Sequence, residues 1–143
     1  MQRTDRDVDE YLAELRSERA DSLRAVDAVI GESLSGLERR LWEGVFWGGT
    51  EQQIIGYGDV TQARPRGKDV EWFLVGLAEQ KRHLSIYVNA AEGTDYLVRS
   101  WAERLGKVKA SSAAITFASV DDLDLDQLRA MLARARELAP HAR

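Results

Sequence analysis

An imidazole, a hydroxyl and a phenol stand at alternate positions in His83-Leu-Ser85-Ile-Tyr87, so in a strand all three share one side. They offer hydrogen-bond donors and acceptors, which suits either proton transfer or recognition of a small polar ligand. A serine hydrolase is not indicated, because no serine occupies a nucleophile elbow. With no cysteine in the 143 residues, thiolate nucleophiles, disulfides and cysteine-based metal sites are excluded together. The alternative for His83 is structural, a half-exposed side chain at the end of a hairpin.

Other polar groupings carry weaker chemistry. Gly56-Tyr57-Gly58 is not continued by the glycine and Gly-Lys-Ser/Thr of a phosphate loop and reads as a strand feature. Asp122, Asp124 and Asp126 have the opening spacing of a calcium loop, but Gln127 stands where glycine is needed and Ala133 where the bidentate Glu belongs. Helix capping accounts for them. Arg64, Arg66 and Lys68 form a basic loop without interleaved aromatics, and the net charge of −4 gives no footprint for nucleic acid. Asp5, Asp7, Asp9, Glu10 and Glu14 offer a carboxylate surface to a hard cation, or equally suit the positive end of a helix.

The elements that position these groups centre on residues 69 to 90, two strands joined by a charged turn. A turn centred on Gln80 and Lys81 sets Phe73, Val75 and Leu77 beside Val88, Ile86 and Leu84 on an apolar face. The other face carries Trp72, Leu74, Gly76 and Ala78 against Tyr87, Ser85 and His83. Gly76 and Ala78 leave room there, Trp72 supplies an aromatic wall, and Tyr57 and Lys107 complete a rim, which is the composition of a small-ligand pocket. A helix packed on the same small residues is the competing expectation.

Upstream, Asp7-Val-Asp-Glu10 has capping-box spacing before Tyr11, Leu12 and Leu15, and Leu23, Val26, Val29 and Ile30 recur along a second helix ending near Gly31. These predict a helical hairpin. Trp42, Phe46 and Trp47 favour strand over 37 to 47, and Gln53 to Asp59 is a strand with two glycines marking a close approach or bulge. Val60 to Asp69 reads as a loop. Thr94 caps a third helix bearing Leu97, Val98, Trp101 and Leu105, closed by Gly106, with Lys107 and Lys109 in the loop beyond. Residues 113 to 117 form a last strand, and Asp124 caps a final helix with Leu128, Met131, Leu132, Ala135 and Leu138 inward.

Val8-Asp-Glu-Tyr-Leu12, Ile54-Ile-Gly-Tyr-Gly58, Trp72-Phe-Leu-Val-Gly-Leu77 and Lys81-Arg-His-Leu-Ser-Ile-Tyr87 together resemble the YdhG-like family of domains of unknown function. Leu105-Gly-Lys-Val-Lys109, Ala114-Ile-Thr-Phe117 and Asp122-Leu-Asp-Leu-Asp126 extend the similarity over nearly the whole chain. Arg64-Pro-Arg-Gly-Lys68 departs from the aromatic, glycine-containing segment of many members. The resemblance implies a small α+β domain with a mostly antiparallel sheet flanked by helices and no established enzymatic activity, and some relatives are described as frataxin-like iron chaperones.

The expectation is therefore one α+β domain over 1 to 143, with a sheet of about five strands, an N-terminal helical hairpin and C-terminal helices. Functionally it reads as a cytoplasmic, non-enzymatic binding protein without cofactor or resident metal, monomeric or homodimeric, binding neither nucleic acid nor membrane. Its ligand site is expected at Trp72, Gly76, His83, Ser85, Tyr87, Tyr57 and Lys107. An iron chaperone and a protein-binding adaptor are the alternatives.

Overall fold

A computed structural model describes residues 1 to 45, 50 to 63 and 66 to 143. It is an α+β structure in which one antiparallel sheet is covered on one face by helices. The strands are β1 (Gln2–Arg3), β2 (Arg39–Val45), β3 (Glu51–Gln62), β4 (Val70–Glu79), β5 (Leu84–Val88), β8 (Lys109–Ala110) and β9 (Ala114–Phe117), in the spatial order β1-β2-β3-β4-β5-β9-β8. The sheet has seven strands rather than about five, because β1 and β8 are two-residue edge strands too short to leave a period-2 signature. A separate ribbon pairs β6 (Ala91–Glu92) with β7 (Asp95–Tyr96).

Helix α1 (Val8–Glu14) begins where the capping spacing places it, with Asp7 accepting a bond from the Glu10 amide at 2.9 Å. Helix α2 (Ala20–Ser33) runs through Gly31 and stops only at Leu34, after which Gly36 at φ +90° turns the chain toward β2. Helix α4 (Leu125–Leu138) is capped by Asp124, whose carboxylate accepts from the Gln127 amide, so this aspartate is committed to capping. Helix α3 (Leu97–Trp101) is shorter than its apolar pattern suggests: Thr94 lies in the β6–β7 turn, Tyr96 stands at the cap, and the segment continues as a 3-10 turn to Arg104. Gly106 follows at φ +106°, where a Cβ would lie 2.2 Å from the Asp122 carbonyl oxygen, so only glycine fits the bridge between Gly106 and Leu123.

The helices bury the apolar face of the sheet. Leu23, Val26 and Ile30 of α2 and Leu128, Met131 and Leu132 of α4 meet Leu41, Ile55, Leu77, Leu84 and Ile86, all at 2% exposure or less. Within this interface Asp27 is held by three groups. The Tyr57 hydroxyl donates to its Oδ1 at 2.7 Å, and Arg39 donates through Nε at 3.1 Å and Nη2 at 2.6 Å. Arg39 also reaches Asp9 of α1 at 3.0 Å, so one guanidinium ties both helices to the sheet.

The central hairpin departs from its expected register. Glu79 pairs with Leu84, Leu77 with Ile86 and Val75 with Val88, leaving Gln80 to His83 as the turn, which closes through the Gln80 amide and the His83 carbonyl at 2.8 Å. Each partner is displaced by two residues from the sequence expectation, and an even displacement preserves the faces of β5. Phe73 is different. Leu74 and Val75 both enter the helix-covered core, whereas Phe73 joins a second cluster with Trp42, Ile54, Ala78, Tyr87 and Ala114 on the other face. The alternation of β3 reverses at the same level, at Gly58 with φ +82°, so Tyr57 and Val60 face the helices and Asp59 does not. Asp59 is bonded instead by Arg40 at 3.0 Å, and it exchanges backbone hydrogen bonds with Arg143.

Strand β3 also extends into the expected loop, with Val60, Thr61 and Gln62 paired to Trp72, Glu71 and Val70. Of the expected strand aromatics Trp42 lies in β2, while Phe46 and Trp47 lie outside the described residues, as do Arg64 and Pro65 of the basic loop. Among the described residues no helix is long and apolar enough to cross a membrane.

Candidate functional site

Gly76 and Ala78 do not leave an open pocket on the second face. A Cβ built on Gly76 would lie 2.6 Å from Cε2 of Phe73 and 2.9 Å from Cγ2 of Ile54, so the space above the glycine is filled by the Phe73 ring. That ring is stacked on Trp72 with centroids 4.5 Å apart and meets the edge of Trp42 at 5.6 Å. Gly56, opposite Gly76 on β3, is overlaid in the same way by the Trp42 indole. The room predicted here exists in the backbone and is occupied by the protein's own aromatic rings.

Ser85, Gln80 and Tyr87 on this face are bonded to one another. Ser85, 1% exposed, donates to Oε1 of Gln80 at 2.5 Å, and Nε2 of Gln80 donates to the Tyr87 hydroxyl at 2.8 Å and to Oε1 of Gln52 at 3.1 Å. Burial raises the Tyr87 phenol above its ordinary pKa, while the bonds from Ser85 and Gln80 pull the other way. This network anchors the turn to the start of β3.

The expected site residues therefore separate. Gly76, Ser85 and Tyr87 lie on the second face, but within its packed interior, and Trp72 is half-buried against both clusters. Tyr57 lies on the opposite, helix-covered side, where burial first and the Asp27 carboxylate second raise its pKa well above the usual tyrosine value. Lys107 is exposed near the β8 edge, its amide bonded to the Asp122 carbonyl at 2.8 Å, and lines neither of two cavities found among the described residues. His83 alone opens onto the larger of them.

That cavity is a cleft of about 1040 Å³ at the turn end of the sheet. Alternation from Leu41, Ile55 and Leu77 puts Glu43, Gln53 and Glu79 on the helix-covered side, where they form a polar floor across β2, β3 and β4. Tyr11 of α1 and Leu15, Ser17 and Arg19 of the α1–α2 connection wall it, and Lys81, Arg82 and His83 close it from the β4–β5 turn. Two bonds join these walls: Ser17 donates to Glu79 at 2.8 Å, and Arg19 reaches the Lys81 carbonyl at 3.5 Å. At the β2 end Glu43 is paired with Arg6, whose guanidinium also lies over the Tyr11 ring, 5.7 Å from its centroid. Burial, and then the Glu79 charge, raise the Tyr11 phenol, so it faces the cleft as a neutral hydroxyl.

Sequence reading missed most of this lining, because Tyr11, Glu43, Gln53 and Glu79 are far apart in the chain and carry no local pattern. The one part of it that the sequence marks is the charged turn between the strands of 69 to 90. The acidic residues of the first helix are partly engaged, Asp7 as cap and Asp9 by Arg39, and among the described residues no three His, Asp or Glu side chains are grouped to hold a metal ion. The second cavity, about 170 Å³ beside Leu74, Asn89 and His141, is much smaller. Comparison with known proteins adds no relative: no family model matches the chain, and neither a curated protein nor a solved structure matches it.

Proposed function

We propose that the protein is a non-enzymatic, small-ligand-binding domain of the YdhG-like kind, with its site in the cleft at the β4–β5 turn. The observation that carries this reading is the cleft itself. Its volume of about 1040 Å³ is just above the usual range for ligand sites, roughly 300 to 1,000 Å³. It joins one aromatic wall, Tyr11, to side chains of both charges and to carboxamides held in place by hydrogen bonds. The filled face over Gly76 argues for moving the site from the flat of the hairpin to its end.

Thermal denaturation with succinate, putrescine, tri-alanine and adenosine monophosphate tests the reading. A ligand at 100 times its Kd stabilises by about 2.7 kcal/mol, or roughly 5 to 10 °C in a domain of this size. The expected result is a saturable rise with at least one compound that is lost in Arg19→Ala/His83→Ala. No rise with any of the four, or equal rises in wild type and variant, contradicts the assignment.

A further inference from the structure

Most charges that line the cleft have an opposite charge at hand. Arg6 pairs with Glu43 and Arg19 with Glu18. The β2–β3 ladder sets Gln53 beside Glu43. The β3–β4 register, in which Ile55 meets Leu77, continues beyond the ladder to set Glu79 on the other side of Gln53 and Lys81 opposite Glu51, and the side-chain bond from Gln80 to Gln52 follows the same register. Lys81 therefore has a carboxylate one strand spacing away, and Arg82 stands exposed on the turn. Glu79 is the exception. It is half-buried, has no ion-pair partner among the described residues, and is bonded among them only by the neutral Ser17 hydroxyl, at 2.8 Å to Oε1.

Two neutral groups beside Glu79 are unanswered as well. The Gln53 carboxamide makes no hydrogen bond among the described residues. Tyr11 is only 8% exposed, yet its hydroxyl has no hydrogen-bond partner among them either. Burial first and then the Glu79 charge raise this phenol's pKa, with Glu43 adding less, so the hydroxyl lies over the row Glu43, Gln53 and Glu79. A buried hydroxyl without a partner is costly unless something in the cleft meets it. Carboxylate, carboxamide and phenol oxygens, with a negative charge behind them, match a primary ammonium, which brings three N–H donors and one positive charge. One face of the Tyr11 ring already carries the Arg6 guanidinium, which favours recognition through the hydroxyl over a cation–π site. Leu15, on the same wall, gives apolar contact for an alkyl chain.

We infer that the cleft binds a primary alkylamine, its ammonium held by Glu79, Gln53 and the Tyr11 hydroxyl. The inference rests on the cleft being the ligand site, and it names the ligand class for that site.

The test is a calorimetric titration at low salt with butylammonium, 1-butanol, butyltrimethylammonium and butanoate. Backbone amide shifts of Tyr11, Gln53 and residues 79 to 83 are recorded in parallel to locate binding, and urea midpoints confirm that each variant is folded. The expected result is saturable binding of butylammonium, with the alcohol and the quaternary ammonium, which lack the charge and the N–H donors respectively, weaker by about tenfold or more. Glu79→Gln keeps an acceptor for Ser17 but should remove the preference for butylammonium over 1-butanol. Tyr11→Phe should weaken butylammonium by about threefold or more, and Glu51→Gln should leave it unchanged. If the quaternary ammonium, the alcohol or butanoate binds as well as butylammonium, or if Glu51→Gln costs as much as Glu79→Gln, the ammonium inference is overturned while the cleft stands as a site. The wild-type comparison alone decides this should Glu79→Gln fail to fold. If none of these compounds, nor succinate, tri-alanine or adenosine monophosphate, shifts the cleft amides, the inference and the site assignment fall together.

Discussion

Gly76→Ala is the smallest perturbation that separates a filled sheet face from an open one. The added Cβ meets Phe73 Cε2 at 2.6 Å, Ile54 Cγ2 at 2.9 Å and Phe73 Cζ at 3.1 Å. Carbon atoms in favourable contact sit about 3.5 to 4.0 Å apart, so the methyl needs the ring to retreat by about 1 Å. Trp72 lies stacked on that ring and Trp42 abuts it, and Ile54 is fully buried, so retreat displaces three further side chains. Overpacking of this kind costs about 1 to 3 kcal/mol, and the gain of roughly 0.5 to 1 kcal/mol from replacing glycine within a strand offsets part of it. The net expectation is a loss of about 1 to 2 kcal/mol, read as a lower urea midpoint at unchanged slope. Gly31→Ala in α2 is the control: nothing lies within 4 Å of its Cβ, and it should stabilise by about 0.5 to 1 kcal/mol. Adding Phe73→Leu to Gly76→Ala should recover part of the loss, since the obstructing ring is then gone. A Gly76→Ala protein as stable as wild type, or Gly76→Leu folding with an unchanged midpoint, refutes the packing argument and reopens the second face as a pocket.

Three further outcomes follow from named contacts. Tyr57→Phe removes the bond to buried Asp27 and should cost about 1.5 to 3 kcal/mol, while Asp27→Ala, which strands both Tyr57 and Arg39, should cost more, with non-additivity in the double variant. Tyr57, Tyr11 and Tyr87 all have pKa values raised by burial, so each contributes stability that is complete below the unfolded tyrosine value near 10 and is lost as pH rises through the folded value. Denaturation midpoints should therefore fall above about pH 10, less steeply in Tyr57→Phe, and a flat profile contradicts the burial of these phenols. Asp7→Ala and Asp124→Ala each remove an N-cap and should cost about 1 kcal/mol by urea denaturation.

The two caps and the α2 and α4 core faces were legible because each rests on residues within one or two turns of each other. The faces of β5 were also legible, since alternation in Leu84, Ile86 and Val88 survives a register change of two. The register itself was not, because a four-residue and a two-residue turn fit the same charged run, and the choice depends on Gln80 bonding Tyr87 and Gln52. Phe73 was placed on the wrong face because the reversal at Gly58 and Leu74 involves two strands at once. Asp27 leaves no local signal, because its partners Arg39 and Tyr57 are 12 and 30 residues away. The cleft was invisible for the same reason, being made where the α1–α2 connection meets the ends of three strands.

The most direct measurement is a backbone amide map of the protein titrated with tri-alanine, succinate and putrescine. Shifts concentrated at Tyr11, Ser17 to Arg19, Gln52, Gln53 and Glu79 to His83, with Gly76 and Trp42 unmoved, are what a ligand site at the turn end predicts. Shifts centred on Trp42, Trp72, Gly76 and Tyr87, with the turn unmoved, would contradict it.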